Sequence, residues 1–220
     1  MSEAKKAVIV LVVGFVAWRA YSAWQSMQQG QDGGLQSEGW LNADDVLNSA
    51  AETIDTWTGG MLKISAMSRV DRSLLKNSNV QAMLQVIRTG EGTTGPQGYT
   101  TLYGGSQFES LADHPRVKVT RWGRTSTAAG AYQALAAVWD ETAGLMKLPD
   151  FGKVSQDLFA LGRMAARGAL PDVVSGNFSA AIAKLGKEWA SLPGSPYGQN
   201  VMTMAKAKDV YQMSGGRAIA

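Results

Sequence analysis

The chain has 220 residues, of which 45% are apolar and 18% are charged, so most of it can form a packed core. It contains no cysteine, which excludes disulfide bonds and thiol nucleophiles, and its single histidine, His114, excludes a multi-histidine metal site. The net charge of +3 is mild, and no basic run indicates nucleic acid as a partner. We expect no metal and no cofactor. A Ser-His-Asp triad is possible only around His114.

The N-terminus carries an unbroken apolar run over residues 7–18, preceded by a pair of lysines. Counted to Trp24 the segment has 18 positions, close to the length that crosses a bilayer, and it ends in tryptophan and tyrosine side chains typical of a membrane interface. A membrane anchor, a cleaved signal peptide and a buried helix all remain open. We favour an anchor helix over residues 1–24, contacting the membrane through residues 7–24, with the later chain outside.

Residues 25–39 are rich in glutamine and glycine and predict a flexible linker. Two amphipathic helical pieces follow, from Asp44 to Ile54 and from Met61 to Val70, with a break predicted at Trp57–Gly60. We interpret residues 25–75 as a linker and helical stalk. The stalk could also be a membrane-surface segment or a docking surface for another protein.

The segment from Gln81 to Phe108 organises the rest of the chain. Its apolar residues recur at helical spacing, and glycine at position 90 predicts a helix C-cap, which leaves Glu91 at the helix exit. A carboxyl group between an apolar helix and a hairpin is placed where burial could raise its pKa, as a general acid requires near neutral pH. Glu91 is therefore a candidate acid, although most glutamates at helix ends are solvated.

The later chain alternates short strand signals with helices. Tyr99–Tyr103 reads as a strand and Gly104-Gly105 as a hairpin turn. The remaining predictions are a strand over Val117–Trp122, a turn and capping region over Gly123–Thr127, and helices over Ala128–Asp140, Ser155–Gly168, Asn177–Ser191 and Val201–Met213. We predict an α+β domain over residues 76–220, mostly helical with a small β-hairpin region.

A series of short motifs in one order carries a family resemblance. These are Glu91-Gly92-Thr93, Gly98-Tyr99, Gly104-Gly105, Phe108, Asp113-His114-Pro115-Arg116, Ser126-Thr127, Gly130 with Tyr132-Gln133, Ser155-Gln156-Asp157, Arg167–Pro171, Trp189–Gly194 and Tyr197-Gly198-Gln199. Together they resemble the lambda-type phage endolysins, which are lytic transglycosylases of the lysozyme superfamily. One departure is Ala131, where that family carries an arginine. The resemblance implies a lysozyme-like fold with the hairpin beside the active-site cleft.

The resemblance also implies an activity and a set of site residues. Glu91 would be the catalytic acid that cleaves the β-1,4 bond between N-acetylmuramic acid and N-acetylglucosamine in peptidoglycan, with formation of a 1,6-anhydro product. Asp113 is a possible auxiliary carboxylate, although we favour a loop-fixing role for it. The residues expected to bind substrate are Ser126, Tyr132, Gln133, Tyr197 and Gln199. For these, helix capping or core packing remains the alternative.

The additional N-terminal residues leave two biological settings open. The protein could be a virion-associated enzyme for cell entry, docked through residues 40–75 on other phage proteins. It could instead be a signal-anchor endolysin for host lysis, held in the membrane with its catalytic domain facing the periplasm. The long helical insert favours the virion setting. A hydrolytic muramidase and a non-catalytic virion protein that binds peptidoglycan are the alternative functions.

Overall fold

A computed structural model describes residues 58–197 and 201–219. Residues Gly60–Ala220 form one compact unit. The predicted anchor over residues 1–24, the linker, the first stalk helix over Asp44–Ile54 and the candidate Gln199 lie outside the described residues. Within the ranges described, no helix combines the length and the apolar character needed to cross a membrane.

The described unit is mainly helical. After a helical segment over 58–68 come the helices α1 Ser78–Glu91, α2 Ala136–Met146, α3 Lys153–Ala166, α4 Leu170–Ser175, α5 Phe178–Leu185 and α6 Met204–Met213. Two 3₁₀ turns cover Arg72–Lys76 and Gly98–Thr100. The two strands β1 Val119–Arg121 and β2 Arg124–Ser126 pair antiparallel, with Thr120 opposite Thr125. The predicted α+β class is confirmed for this part of the chain.

Helix α1 lies at the centre of the unit, as its apolar periodicity predicts. Its N-cap is Asn77, whose side chain accepts hydrogen bonds from the backbone N–H groups of Asn79 and Val80. Its buried residues are Val80, Ala82, Met83, Leu84, Val86 and Ile87. Helices α4 and α6 pack against α1 and hold it in place. The last turn of α1 therefore has a fixed position.

The extended segments differ from the prediction. The strand predicted at Tyr99–Tyr103 is wrong, because residues 98–100 form consecutive tight turns and only Thr101 and Leu102 make single bridges, to Gln107 and Ala129. The turn at Gly104-Gly105 is confirmed, since both glycines have positive φ. The one hairpin within the described residues instead spans β1 and β2. The strand predicted over Val117–Trp122 is confirmed by β1, whereas β2 falls where the sequence predicted a turn and a helix cap.

Several predicted helix boundaries are also wrong; the helix predicted over Asn177–Ser191, for example, ends at Leu185. Residues 58–60 are helical, so the break predicted at Trp57–Gly60 does not occur there. Residues 128–134 form a tight loop, closed by a bridge between Ala129 and Ala134, and α2 begins only at Ala136. Gly130, with φ of 77°, takes a left-handed conformation that no helix contains. Tertiary contacts therefore override the helix preference of this alanine-rich segment.

Candidate active site

The candidate acid, Glu91, is the last residue of α1. Gly92, with φ of 72°, ends the helix in the left-handed conformation, and the Thr93 N–H donates to the Arg88 carbonyl oxygen at 2.8 Å. The predicted cap at Gly90 is wrong by two positions. Gly90 lies inside the helix, where an added Cβ would come within 2.5 Å of Ser191 Oγ. Glycine at position 90 therefore allows the Ser191 side chain to approach the end of α1.

The Glu91 carboxyl is half-buried and has a specific partner. Ser191 Oγ donates a hydrogen bond to Glu91 Oε1 at 2.7 Å, between residues 100 positions apart in the chain. Burial raises the pKa of Glu91 above its ordinary value of 4.5, and the Ser191 hydrogen bond opposes the rise. The carbonyl groups at the helix C-terminus also disfavour a negative charge at this place. This carboxyl thus retains its proton to higher pH than a solvated glutamate does.

The loop that follows Glu91 is held in a defined shape by Arg88. Its guanidinium donates to the carbonyl oxygen of Thr93 at 3.1 Å and to that of Thr94 at 3.4 Å. The Thr93 hydroxyl is buried and donates to the carbonyl oxygen of Ala131 at 2.6 Å, which joins this loop to residues 128–134. An open groove of 390 Å³ begins at Gly92 and lies between loop 92–98 and the turn that contains Gly105.

A second partly buried carboxyl group, that of Asp157 on α3, supports both loops. Asp157 Oδ1 accepts hydrogen bonds from the hydroxyls of Tyr99 at 2.9 Å and Tyr132 at 2.6 Å. Burial raises the pKa of Asp157, whereas the two tyrosine hydrogen bonds and the charge of Arg88 oppose the rise. Burial and the neighbouring Asp157 raise the pKa of Tyr99 to about 12, so Tyr99 remains a hydrogen-bond donor.

The preceding residue, Gln156, completes this support. Its Oε1 accepts from the Ala131 N–H at 2.8 Å, and its Nε2 donates to the carbonyl oxygens of Tyr99 and Phe151. Arg88 also lies 4.7 Å from the ring centroid of Tyr99, a cation–π contact. One turn of α3 thus fixes both the segment after Glu91 and the loop over residues 128–134.

This arrangement coincides with a known family pattern. The Endolysin family profile matches residues 81–218, which include most of α1, the loop after Glu91, Asp157 and Ser191. The chain belongs to the endolysin family. Among its relatives, the endolysin of Escherichia phage P2 is 35% identical over 156 residues, covering 64% of this chain and 94% of that protein. The endolysin of Escherichia phage lambda is 40% identical over 130 residues, covering 56% and 82%.

Solved structures extend the similarity to the fold. Bacteriophage lambda lysozyme complexed with a chitohexasaccharide matches with a TM-score of 0.62 at 37% identity, covering 65% of this chain and 97% of that one. A second structure of lysozyme from bacteriophage lambda matches with a TM-score of 0.58 at 36% identity. The predicted resemblance is confirmed. The protein is an endolysin with a lambda lysozyme-like fold that degrades peptidoglycan.

Two of the predicted substrate-binding residues serve the framework of this endolysin. Tyr132 falls within the helix predicted over Ala128–Asp140, but it is buried in the loop before α2 and its hydroxyl donates a hydrogen bond to Asp157. Gln133 has φ of 47°, and its amide donates to the carbonyl oxygens of Gly130 and Thr101. The helical conformation predicted for both residues is wrong, because the chain turns tightly here.

Asp113 belongs to a separate polar cluster. Its carboxylate lies 3.1 Å from the Arg116 guanidinium, which also contacts Asp140 at 2.7 Å. His114 is buried: its Nε2 lies 2.9 Å from the Ala134 carbonyl oxygen, and its Nδ1 accepts from the Arg116 N–H. These contacts match the loop-fixing role that we favoured for Asp113. Both nitrogens of the His114 ring thus contact backbone groups, which gives the ring a structural role in the loop.

The remaining predicted residues, Ser126 and Tyr197, form hydrogen bonds with different parts of the chain. Ser126, at the end of β2, accepts a hydrogen bond from the Ala128 N–H at 3.1 Å. Tyr197 is 53% exposed, and its hydroxyl donates to the Lys187 carbonyl oxygen at 3.1 Å. Among the described residues, neither side chain forms a hydrogen bond with Glu91, so their substrate-binding roles stay predictions. Gln199 lies outside the described residues.

Three residues that contact Glu91 or support the loops beside it were missed as functional candidates, namely Arg88, Asp157 and Ser191. Asp157 and Ser191 stood in motifs that carried the family resemblance, yet nothing in their spacing linked them to Glu91. The sequence offered one signal for such residues, which is a polar residue within a helical stripe of otherwise apolar residues. Gln156-Asp157 in α3 fits this pattern. A serine or aspartate in such a stripe predicts a buried hydrogen-bond partner.

Replacing Ser191 with alanine should raise the pKa of Glu91 further. The hydroxyl stabilises the carboxylate form, so its loss favours the protonated form. An NMR titration of the Glu91 side-chain carboxyl should show a higher midpoint in Ser191→Ala than in the parent protein. Ser175→Ala is a matched control, because that exposed hydroxyl donates to the Asp172 carbonyl oxygen instead. A midpoint that falls or stays unchanged in Ser191→Ala would contradict the assigned hydrogen bond.

Proposed function

We propose that this endolysin is a lytic transglycosylase in which Glu91 acts first as the acid and then as the base. The observation that carries the proposal is the half-buried Glu91 carboxyl with its raised pKa, on the residue that immediately precedes Gly92, where the groove begins. A protonated carboxyl there can donate its proton to a glycosidic oxygen. The complex of lambda lysozyme with a chitohexasaccharide supports a glycan strand as the ligand of this cleft.

The proposed reaction needs only this one carboxyl group. Glu91 protonates the oxygen that links muramic acid C1 to the next sugar, the C1–O bond breaks, and positive charge develops at C1. The resulting Glu91 carboxylate then takes the proton of the muramic acid 6-hydroxyl, whose oxygen bonds to C1. The product is a 1,6-anhydromuramic acid end, no water is consumed, and Glu91 is protonated again.

Hydrolysis by a muramidase is the second candidate, and it differs in what attacks C1. That mechanism uses a second carboxylate to activate water or to form a covalent intermediate. Asp113 already forms an ion pair with Arg116. It lines a cavity formed with residues of α2 and of the loop before α3, and this cavity is separate from the groove at Gly92. Asp157 is occupied by two tyrosine hydroxyls. These contacts favour the transglycosylase over the hydrolase.

The biological setting is a separate proposal. The segment over residues 7–24, with its apolar run over residues 7–18, supports a tether to the membrane, with the catalytic unit facing the periplasm. Virion association through residues 40–75, for local opening of the wall during entry, is the other setting. Both leave the chemistry at Glu91 unchanged, because the family match begins only at residue 81.

Mass spectrometry of the muropeptides released from Gram-negative sacculi tests the proposed chemistry. The full-length protein, solubilised in mild detergent, should release products that end in 1,6-anhydromuramic acid. Glu91→Gln, assayed in parallel, should release at least about a hundredfold less product. Reducing ends would establish a water-using muramidase and contradict the transglycosylase proposal. Binding to sacculi without any product, from a folded protein, would favour the non-catalytic alternative.

A further inference from the structure

An apolar turn projects from the surface of the described unit, in the helical segment over 58–68. The side chain of Leu62 is 71% exposed, and Met61 and Ile64 are 44% and 46% exposed. Lys63, between them, is exposed as well. Four consecutive exposed residues cover almost a full helical turn, whereas Met67, one turn later, is 1% exposed. The segment is therefore anchored at Met67 and extends outward at residues 61–64.

A basic cavity adjoins this turn. It has a volume of 580 Å³ and is lined by Lys63, by Arg167 at the end of α3, and by Lys184 and Lys187 from α5 and the residues after it. Alanine side chains form the rest of its lining. No carboxylate belongs to the lining, so the cavity presents four cations around an apolar floor.

Two of the four cations are uncompensated within the described residues. Arg167 is paired with Glu188 at 2.5 Å, and Lys184 is paired with Asp172 at 2.6 Å. Neither Lys63 nor Lys187 forms an ion pair with any described residue. The positive potential of the cavity therefore comes mainly from these two exposed lysines, which makes them the residues to change in an experiment.

We propose that this surface, composed of residues 61–64 and the basic cavity, binds anionic phospholipid headgroups at a membrane surface. Lysines near a bilayer are attracted by acidic headgroups, and exposed Leu, Met and Ile side chains gain free energy by entering the acyl boundary. A hydrated anionic wall polymer could neutralise the positive charge of the cavity, but it has no apolar region that the Leu, Met and Ile side chains could enter. The lipid surface accounts for both features. The inference is independent of the catalytic role of Glu91.

The absence of cysteine allows a local test in the full chain. Leu62→Cys, labelled with an environment-sensitive fluorophore, reports on this turn wherever residues 7–24 reside. We expect a blue shift with vesicles containing phosphatidylglycerol, a much smaller shift with pure phosphatidylcholine, and loss of the shift when Lys63→Glu and Lys187→Glu are combined. Since salt of about 1 M reduces the screening length to roughly 3 Å, it should also suppress the shift.

Val154→Cys provides the matched control label. Val154 is 63% exposed at the start of α3, about 18 Å along the helix from Ala166 in the basic cavity. That label should not respond to either vesicle. Thermal unfolding should be unchanged in the charge-reversed variant, because both lysines are exposed. No shift at position 62 with acidic vesicles, an equal shift in the charge-reversed variant, or a shift with lipid-free sacculi instead would each overturn the proposal.

Discussion

Glu91→Gln should lose peptidoglycan cleavage while keeping the fold. Glutamine has nearly the same shape, and its amide oxygen can still accept the Ser191 hydrogen bond, but it has no proton to donate to the glycosidic oxygen. Removal of general acid–base catalysis costs about 10²–10⁴-fold in rate. Turnover on purified sacculi, measured by turbidity and by released muropeptides, should fall by at least that factor. Pelleting with sacculi should remain close to that of the parent protein.

The same substitution should change the pH dependence of stability. The folded-state pKa of Glu91 lies above its ordinary value of 4.5, so the folded state binds this proton more tightly than the unfolded state does. The associated stability is fully present below about pH 4.5 and is lost as the pH rises through the folded-state pKa. Glutamine does not titrate. Thermal unfolding between pH 4 and pH 8 should therefore show Glu91→Gln gaining stability relative to the parent as the pH rises.

Glu109→Gln is the control for both measurements. Glu109 is exposed and lies outside the groove that begins at Gly92, so its neutralisation should leave turnover unchanged. Its stability difference from the parent should show no rise comparable with that of Glu91→Gln. Retained turnover in Glu91→Gln would exclude Glu91 as the acid. A stability difference that is constant with pH would contradict the raised pKa.

The local features of the fold were predictable from the sequence, because they depend on nearby residues. The apolar spacing of Met83, Leu84, Val86 and Ile87 places α1 correctly, since helical periodicity is set within a few turns. The position of Glu91 at its end follows from the same pattern, although the cap is Gly92. The family motifs then supplied the lysozyme-like architecture that periodicity alone did not.

The parts of the fold that the sequence failed to predict depend on contacts between distant segments. Residues 128–134 are rich in alanine and favour a helix locally, but Gln156 of α3 captures the Ala131 N–H and Asp157 captures the Tyr132 hydroxyl. The hydrogen bond between Ser191 and Glu91 joins residues 100 positions apart. No local sequence pattern predicts such a pairing. Helix propensity is a weak preference, which buried hydrogen bonds of this kind readily override.

Asp157→Ala should destabilise the protein strongly, because one carboxylate satisfies two tyrosine hydroxyls. Its removal leaves the buried Tyr132 hydroxyl, and the partly buried Tyr99 hydroxyl, without their acceptor. An unsatisfied buried hydroxyl costs about 1–3 kcal/mol, so we expect a loss of about 2–4 kcal/mol in the free energy of unfolding. Asp157→Asn, whose amide oxygen still accepts, should lose less. Denaturant unfolding of both variants measures the difference.

Asp113→Ala is the matched control, and it also separates the two catalytic mechanisms. Asp113 and its partner Arg116 have side chains that are 63% and 45% exposed, and exposed ion pairs contribute about 0–1 kcal/mol. The variant should therefore unfold close to the parent and retain turnover, whereas a muramidase with Asp113 as its second carboxylate would lose activity. If Asp157→Ala were as stable as Asp113→Ala, the buried network would not hold the two loops. In that event the shape of the groove after Glu91 would have to come from Arg88 and Gln156.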